Sequence, residues 1–356
     1  MNAFRFVGKL EFNALDSRNP YIRKGKTAKG AEYQTLSFSV APSKNNRAYV
    51  ESFGMVSDKI KTYDTAGNEK TVLWDERLDE NVIKEVSRSG RWSVKLDGVY
   101  HEFISAYDFN DFVAEHMEEL KNKVCVVTGK LSTNVYNGKL SYRYQIQSVR
   151  EVGEDDEVEQ KLVIRFDTFY RKEDIDVTEW KKERKITINA FTHNYVKEAN
   201  GRKYTPTTFT IELANEDNDK KAAFLLKQFG IILKDGSIGT KIKDKEVASL
   251  PIRCEYINGS EEVPFDESCL TDNQKEMIEL GLKSLDDFKP NGSIYGQRVT
   301  KYICIDVDAR DDYANGYRIE EISAGEFETE IFTPAASVKN VADNMDDEDI
   351  DSLFGT

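Results

Sequence analysis

The feature that most constrains the fold is a change of periodicity within residues 109–149. It begins with an apolar stripe at helical spacing, formed by Phe109, Phe112, Val113, Met117 and Leu120. This stripe predicts a helix of about three turns, with Asp108 as its N-cap. Two strand-like segments, Lys123–Tyr136 and Lys139–Val149, follow directly, and Asn137-Gly138 between them is the pair most favoured in a tight hairpin turn. The sequence therefore predicts a helix followed by a long β-hairpin.

Short alternating segments before this helix predict further strands. They are Phe4–Phe12, Glu32–Val40, Arg47–Phe53 and Tyr100–Tyr107. In the second strand the inward positions are Leu36, Phe38 and Val40, and the outward ones are Tyr33, Thr35 and Ser37. Residues 57–98 interrupt this pattern and are predicted to be an insertion. Strands, then a helix, then a long hairpin is the order of an OB-fold barrel.

These pieces resemble the bacterial-type single-stranded DNA-binding protein family. In that family a strand leads into an amphipathic helix, a Val-rich strand with a V-x-G-x-L phrase, and a hairpin. The corresponding pieces here are the helix Phe109–Leu120, the run Val124–Leu131 with Gly129 in the phrase, and the Asn137-Gly138 hairpin. The resemblance covers residues 1–150, interrupted by the insertion, and the last dozen residues. It implies an OB barrel that binds single-stranded DNA, in a chain that continues beyond the one OB domain usual in the family.

The charge distribution fits a polyanionic partner for the N-terminal domain alone. The net charge of the chain is -14, but residues 1–150 contain 23 Lys and Arg against 19 Asp and Glu. Residues 151–334 contain 26 against 39, and residues 335–356 contain 1 against 6. Positive charge is thus concentrated in the predicted OB domain.

Binding single strands without sequence preference needs cations for phosphates and aromatic rings for bases. Residues 18–29, between the first two strands, supply both without a carboxylate, in Arg18, Tyr21, Arg23, Lys24, Lys26 and Lys29. It is predicted to be one of the two OB loops that contact oligonucleotides; the alternative is a mobile Lys-rich surface loop. Further candidates on the strands and the last hairpin are Tyr33, Tyr49, Phe53, Tyr136, Lys139 and Arg143. Arg143 is favoured because Tyr142 and Tyr144 have the opposite parity, which faces the barrel interior.

Residues 151–334 are predicted to form a second β-rich domain. Its predicted strands are Leu162–Phe169, Lys185–Val196, Tyr204–Leu213, Pro251–Ile257 and Tyr302–Val307, and its predicted helices are Lys220–Phe229 and Thr271–Phe288. A weak echo of the first domain around Asn315-Gly316 leaves two alternatives open. One is a second OB-like domain with a last hairpin at 302–322, and the other is an unrelated α+β fold. A hairpin bearing His193, Tyr195, Lys197, Arg202, Lys203 and Tyr204 is either a second DNA contact or an ordinary solvated hairpin.

Residues 335–356 form an acidic C-terminal tail that is predicted to be disordered. It resembles the terminal tip of the family, in which carboxylates contact a basic rim and a hydrophobic pair enters a pocket of a partner protein. The matching residues are Asp346, Asp347, Glu348, Asp349, Ile350, Asp351, Leu353 and Phe354. The resemblance thus implies recruitment of replication or recombination proteins, although Gly355 and Thr356 follow Phe354 here.

The sequence gives little indication of catalysis. His101, His116 and His193 are scattered, and there is no phosphate-loop motif, no H-E-x-x-H and no G-x-S-x-G. We therefore expect a binding protein rather than an enzyme, with no cofactor, no metal and no small-molecule substrate. One alternative is a metal-dependent nuclease, with the alternating pair Asp306 and Asp308, or another DNA-processing enzyme that uses the OB barrel to hold its substrate. Another is a protein adaptor that binds no nucleic acid.

The sequence also predicts the compartment. There is no apolar stretch of the ~20 residues needed to span a bilayer, and no signal-peptide pattern. The four cysteines show no metal or disulfide spacing. We expect a cytoplasmic protein without membrane association, in the host cytoplasm if the protein is viral.

Overall fold

The computed structural model describes residues 2–12, 21–136, 139–153, 156–196, 200–212, 219–234, 237–263, 265–289, 294–308 and 313–327. These residues form long β-strands connected by short helices. The prediction of a mainly β fold is confirmed. Within the described part of the chain, each helix is too short or too polar to cross a membrane.

The first half of the chain contains the predicted strands and helix, together with strands inside the insertion. Its elements are β1 (Ala3–Glu11), β2 (Ile22–Lys26), β3 (Glu32–Ser43), β4 (Asn46–Met55), β5 (Lys59–Tyr63), β6 (Glu69–Leu73), α1 (Glu80–Glu85), β7 (Trp92–Leu96), β8 (Val99–Phe103), α2 (Ala106–Glu115), α3 (Met117–Leu120), β9 (Val124–Tyr136) and β10 (Lys139–Glu151).

Five of these strands close into a barrel. β1 pairs with both β3 and β9, β3 pairs with β4, and β9 pairs with β10, all antiparallel. A parallel bridge between Gln145 of β10 and Glu51 of β4 closes the ring. Leu36, Phe38 and Val40 are buried inside it, as their parity predicts. With α2 between β4 and β9 in the chain, this is the strand order of an OB barrel.

The predicted V-x-G-x-L phrase has a packing reason. A Cβ at Gly129 would lie 1.9 Å from the carbonyl oxygen of Gln145 and 2.8 Å from the ring of Phe4. β1 and β10 therefore approach β9 so closely at this position that only glycine fits.

The insertion at 57–98 extends the barrel. β5 and β6 form a hairpin, and β7 joins the main sheet by pairing in parallel with β10. The Trp92 indole N–H donates to the carbonyl oxygen of Ile146 at 3.1 Å, which attaches the insertion to the last barrel strand. Val72, Ile83 and Val86 of the insertion form a small apolar core together with Ile104, which follows β8.

The predicted start of the helix is wrong by one turn. β8 ends at Phe103, and Ser105 is the N-cap, accepting a hydrogen bond from the Tyr107 backbone N–H at 3.0 Å. The Asp108 carboxylate instead binds the guanidinium of Arg77, with Nε to Oδ2 at 2.8 Å. Because Arg77 comes from the insertion, a contact distant in sequence determines the role of Asp108.

The second half has the same kinds of element. They are β11 (Leu162–Arg171), β12 (Ile175–Asp176), α4 (Trp180–Glu183), β13 (Lys185–Val196), β14 (Gly201–Glu212), α5 (Asp219–Gln228), β15 (Ile231–Lys234), β16 (Ser237–Thr240), β17 (Val247–Val263), α6 (Asp272–Glu279), β18 (Ile294–Val307) and β19 (Arg318–Glu320).

The pairing of these strands repeats that of the first half. β11 pairs with both β13 and β17, β13 pairs with β14, and β17 pairs with β18, all antiparallel. A parallel bridge between Thr210 of β14 and Ile303 of β18 closes the ring. α5 lies between β14 and β17 in the chain, as α2 lies between β4 and β9. Of the two alternatives for this half, the topology is the OB-like one.

Two predicted details of the second half are wrong. β19 pairs with β17 and not with β18, so 302–322 is not a hairpin, and the last hairpin is formed by β17 and β18. The helix predicted over 271–288 has its capping box, with the Thr271 N–H donating to Gln274 Oε1 at 2.9 Å, but α6 ends at Glu279. Gly281 follows with a φ of 67°, a left-handed conformation that terminates helices.

The two barrels join through their first strands. β1 pairs antiparallel with β11, with Phe6 opposite Leu162. The β3–β4 hairpin lies on β17, where Asn46 Oδ1 accepts from the Asn258 N–H at 2.9 Å. The β13–β14 hairpin lies on β9, where the Thr133 hydroxyl donates to the carbonyl oxygen of Tyr195 at 2.6 Å. Equivalent hairpins thus contact equivalent strands, an approximately two-fold arrangement.

Aromatic rings from both barrels pack against one another at the junction between them. Their centroids lie 5.0 to 6.5 Å from neighbouring ones, and the residues are Phe6, Tyr142, Tyr144, Phe166, Tyr256 and Tyr302. Burial raises the pKa of Tyr144 and of Tyr302 above the usual tyrosine range, so the cluster is uncharged at neutral pH.

One sheet and one apolar core run through both barrels. That the two halves are separate domains, divided at residue 150 and able to fold independently, stays a prediction.

Candidate nucleic-acid interface

The basic segment predicted as a loop is partly a strand. Ile22–Lys26 pairs with β3, with Arg23 opposite Thr35 and Gly25 opposite Tyr33. Lys and Arg are common on edge strands because their charges prevent pairing with other chains. A basic composition is therefore compatible with an edge strand as well as with a loop. Alternation along β2 then divides its cations between the two faces of the sheet.

Lys24 and Lys26 face away from Tyr33. The Lys24 ammonium lies 2.8 Å from Asp111 of α2, and this hydrogen bond raises the pKa of Lys24. The Lys26 ammonium lies 3.1 Å from Glu32. Both lysines are exposed, and exposed ion pairs contribute little to stability.

Arg23 lies on the same face as two stacked aromatic rings. Tyr33 and Phe53 have centroids 5.7 Å apart and planes inclined by 25°, and both rings are half-buried. The ring of Tyr33 lies over Gly25, where an added Cβ would meet it at 2.6 Å. Glycine at position 25 thus allows this ring orientation on the outer face of the sheet.

The same face continues across β4 to β10. Tyr49 is 43% exposed and has the outward parity of Phe53. The Arg143 guanidinium lies 3.6 Å from Glu51, on the strand that closes the barrel. Arg143 is exposed and Tyr144 is buried, so the two sides of β10 divide as predicted, although Tyr142 and Tyr144 pack at the junction with the second barrel. We call this surface the first-barrel face; its residues are Arg23, Tyr33, Tyr49, Phe53 and Arg143.

The other predicted residues lie elsewhere or are not described. Tyr21 is half-buried with its ring against Phe12 at 6.0 Å, and Lys29 is exposed in the turn that precedes Gly30. Tyr136 and Lys139 pair with each other at the end of the β9–β10 hairpin. Arg18 and the predicted tail residues from Asp346 to Phe354 lie outside the described residues. Their roles in binding stay predictions.

The basic-aromatic hairpin of the second barrel is partly covered. His193 stacks on Tyr204 with centroids 4.8 Å apart, and Phe327 packs on Tyr204 at 4.9 Å. Burial lowers the pKa of His193, so this ring is neutral at neutral pH. Tyr195 and Arg202 remain exposed on the same hairpin.

The carboxylates proposed for a nuclease are paired with arginines. Asp306 forms an ion pair with Arg253, and Asp308 Oδ2 lies 2.7 Å from Arg165 Nε. Among the described residues, His, Cys, Asp and Glu do not form a group of three or more that could hold a metal ion. Both carboxylates thus have an arginine as their ionic partner.

One set of cations at the junction was not predicted from the sequence. Lys44, Arg47 and Arg298 line the same polar notch, together with Tyr49. The run Ser43-Lys44-Asn45-Asn46, which leads into the predicted strand at Arg47, could have indicated a basic hairpin turn. Arg298 could not have been found this way, because only the packing of the barrels brings it to this turn.

Comparisons with known proteins add little to this geometry. No protein-family model and no curated protein matches the sequence. Among solved structures, the chain is similar to a deletion mutant of the single-stranded DNA binding protein from Thermus aquaticus. The match has 12% identity and a TM-score of 0.30, and it covers 72% of this chain and 87% of that one. A likeness this distant supports no statement about function.

Proposed function

We propose that this protein binds single-stranded DNA through the first-barrel face, without strong sequence preference. The observation that carries the proposal is the stacked pair Tyr33 and Phe53 on the outer side of β3 and β4, with Arg23 beside it. Bases stack on such rings whatever their identity, and cations follow the backbone. In OB barrels this sheet face and the adjoining loops bind oligonucleotides.

The cations at and near the face are paired with carboxylates, which favours reversible binding of a DNA strand. On the face, Arg143 is balanced by Glu51 at 3.6 Å, and on the opposite side of β2 Lys24 is balanced by Asp111 at 2.8 Å. Phosphates that displace these carboxylates gain contacts with cations that are already positioned. Since exposed ion pairs are weak, the exchange costs little.

A titration with single-stranded and duplex oligonucleotides tests the proposal. We expect the full chain to prefer single strands, because a duplex keeps its base faces stacked internally. Affinity should fall with salt at a logarithmic slope of about -0.7 per phosphate neutralised. Equal affinity for the duplex, or affinity independent of salt, contradicts the proposal.

We also propose that binding involves no turnover, no cofactor and no metal, and that the protein protects single strands during replication or recombination in the cytoplasm. Asp306 and Asp308 lend no support to the nuclease alternative, since Arg253 and Arg165 neutralise them. In the proposed role the protein acts by covering single-stranded DNA and not by catalysing a reaction on it.

The acidic tail is proposed to recruit partner proteins. Its six carboxylates within residues 343–351 can also compete with DNA for the protein's own cations. We expect deletion of residues 343–356 to raise affinity for single strands at low salt, and less so once the Debye length falls to ~10 Å. Electrophoretic or fluorescence titrations at several salt concentrations measure this.

A substitution separates the two roles of the tail. Phe354→Ala should abolish binding to replication or recombination proteins, because charge alone lacks an apolar contact, and it should leave the DNA effect intact. Ser352→Ala is the control and should retain both properties. A Phe354→Ala chain that still recruits every partner of the full chain shows that the tail has no recruiting function.

A further inference from the structure

The junction between the barrels contains a notch that neither barrel forms alone. Its volume is ≈ 250 Å³. The β3–β4 hairpin of the first barrel and strands β17 and β18 of the second supply its lining, which is Lys44, Asn45, Arg47, Tyr49, Asn258, Gly259, Ser260 and Arg298. Three of these residues are cations and none is a carboxylate. The lining therefore suits an anion.

The floor of the notch is held by hydrogen bonds across the junction. The Asn258 side-chain amide donates to the carbonyl oxygen of Arg47 at 2.9 Å, and the Asn258 backbone N–H donates to Asn46 Oδ1 at 2.9 Å. A Cβ at Gly259 would lie 1.5 Å from the carbonyl oxygen of Asn45. The hairpin and β17 are thus in direct contact, and the site is formed before any ligand arrives.

The cations of the notch are positioned differently. Arg47 is held by Glu11 at 3.1 Å and donates to the carbonyl oxygen of Lys44 at 3.1 Å. Arg298 donates to Asn258 Oδ1 at 3.3 Å. Lys44 and Arg298 are exposed. Arg47 therefore maintains the hairpin, whereas Lys44 and Arg298 can direct their charge at a ligand.

Tyr49 connects the notch to the first-barrel face. It lines the notch and also has the outward parity of Glu51 and Phe53 on β4. From Phe53 to Tyr49 is about 13 Å along an extended strand, and the hairpin turn at Asn46 is about 10 Å further. A strand leaving the stacked pair in this direction passes Tyr49 and then reaches the cations.

We infer that the notch is a phosphate-binding subsite that continues the path of a DNA strand from the first barrel onto the second. The inference rests on the proposed function and assigns Lys44 and Arg298 to it. An oligonucleotide long enough to leave the stacked pair places its phosphates at these two side chains. A short one bound at Tyr33 and Phe53 does not reach them.

The double variant Lys44→Ser and Arg298→Ser tests this inference in the full chain. OB folds bind about 4 to 16 nucleotides each, so homopolymers of these two lengths are the probes. For the long probe we expect weaker binding and a logarithmic salt slope smaller by about 1.4, because two phosphate contacts are lost. For the short probe we expect the affinity of the unmodified chain.

A matched variant controls for total charge. The double variant with Lys181→Ser and Lys182→Ser also removes two exposed cations. Both residues belong to α4, which precedes β13 and lies towards the end of β17 that is opposite to the notch. This variant should leave the slope for the long probe unchanged. Circular dichroism and thermal melting of both variants check that the fold is retained.

The remaining outcomes overturn the inference in distinct ways. Equal losses for both probe lengths, or no loss for either, rule out a subsite specific to long strands. A loss that disappears in a chain lacking residues 343–356 means that the notch holds the acidic tail instead of DNA. If the unmodified chain binds neither probe, the proposed function fails and the inference fails with it.

Discussion

Replacing Tyr33 and Phe53 together with alanine is expected to weaken binding of single-stranded DNA by about 2 to 6 kcal/mol, since each stacked base contributes about 1 to 3 kcal/mol. The two rings form the stacked pair of the first-barrel face. The salt slope should stay the same, because stacking releases no counterions. Titration of a long homopolymer at several salt concentrations measures both quantities.

Two further variants make this result specific. Arg23→Ser should lower the salt slope by about 0.7, since it removes one phosphate contact. Tyr100→Ala is the control, because it removes a tyrosine of β8 that is 61% exposed and lies outside the first-barrel face. This variant should bind DNA with the affinity of the unmodified chain. If the double alanine variant binds DNA with unchanged affinity, the strand uses another surface of the protein.

Replacing Phe6 with alanine is expected to lower the free energy of unfolding by about 3 to 5 kcal/mol, as for other buried aromatic residues. Phe6 is fully buried, and its ring lies 5.0 Å from Tyr144 of the first barrel and 6.4 Å from Tyr256 of the second. Because this ring contacts both barrels, we expect one cooperative unfolding transition that shifts as a whole. Urea denaturation followed by tryptophan fluorescence and circular dichroism measures it.

Leu78→Ala is the control for this prediction. Leu78 is 58% exposed, so its removal should change the free energy of unfolding by no more than about 0.5 kcal/mol. Two separate transitions, of which only one shifts in the Phe6→Ala variant, would indicate two independently folding domains divided near residue 150. A single shifted transition would mean that the junction couples them.

The sequence alone determined the elements whose period is set by neighbouring residues. The alternation of Leu36, Phe38 and Val40 placed the interior of β3 correctly, and the bounds predicted for β13 are those observed. The capping box of Thr271 with Gln274 was also found, although the helix that it begins is short. These features depend on side chains a few residues apart, so a single sequence contains the information.

The tertiary structure decided which partner each of these elements meets. Arg77 from the insertion takes Asp108 away from the helix cap, and β19 pairs with β17 in place of β18. The phenol groups of Tyr144 and Tyr302 meet at 3.4 Å between the barrels, although 158 residues separate them in the chain. The notch likewise needs Lys44 and Arg298 side by side. Such contacts depend on how two closed sheets pack, and the periodicity of a single strand is the same whichever partner it meets.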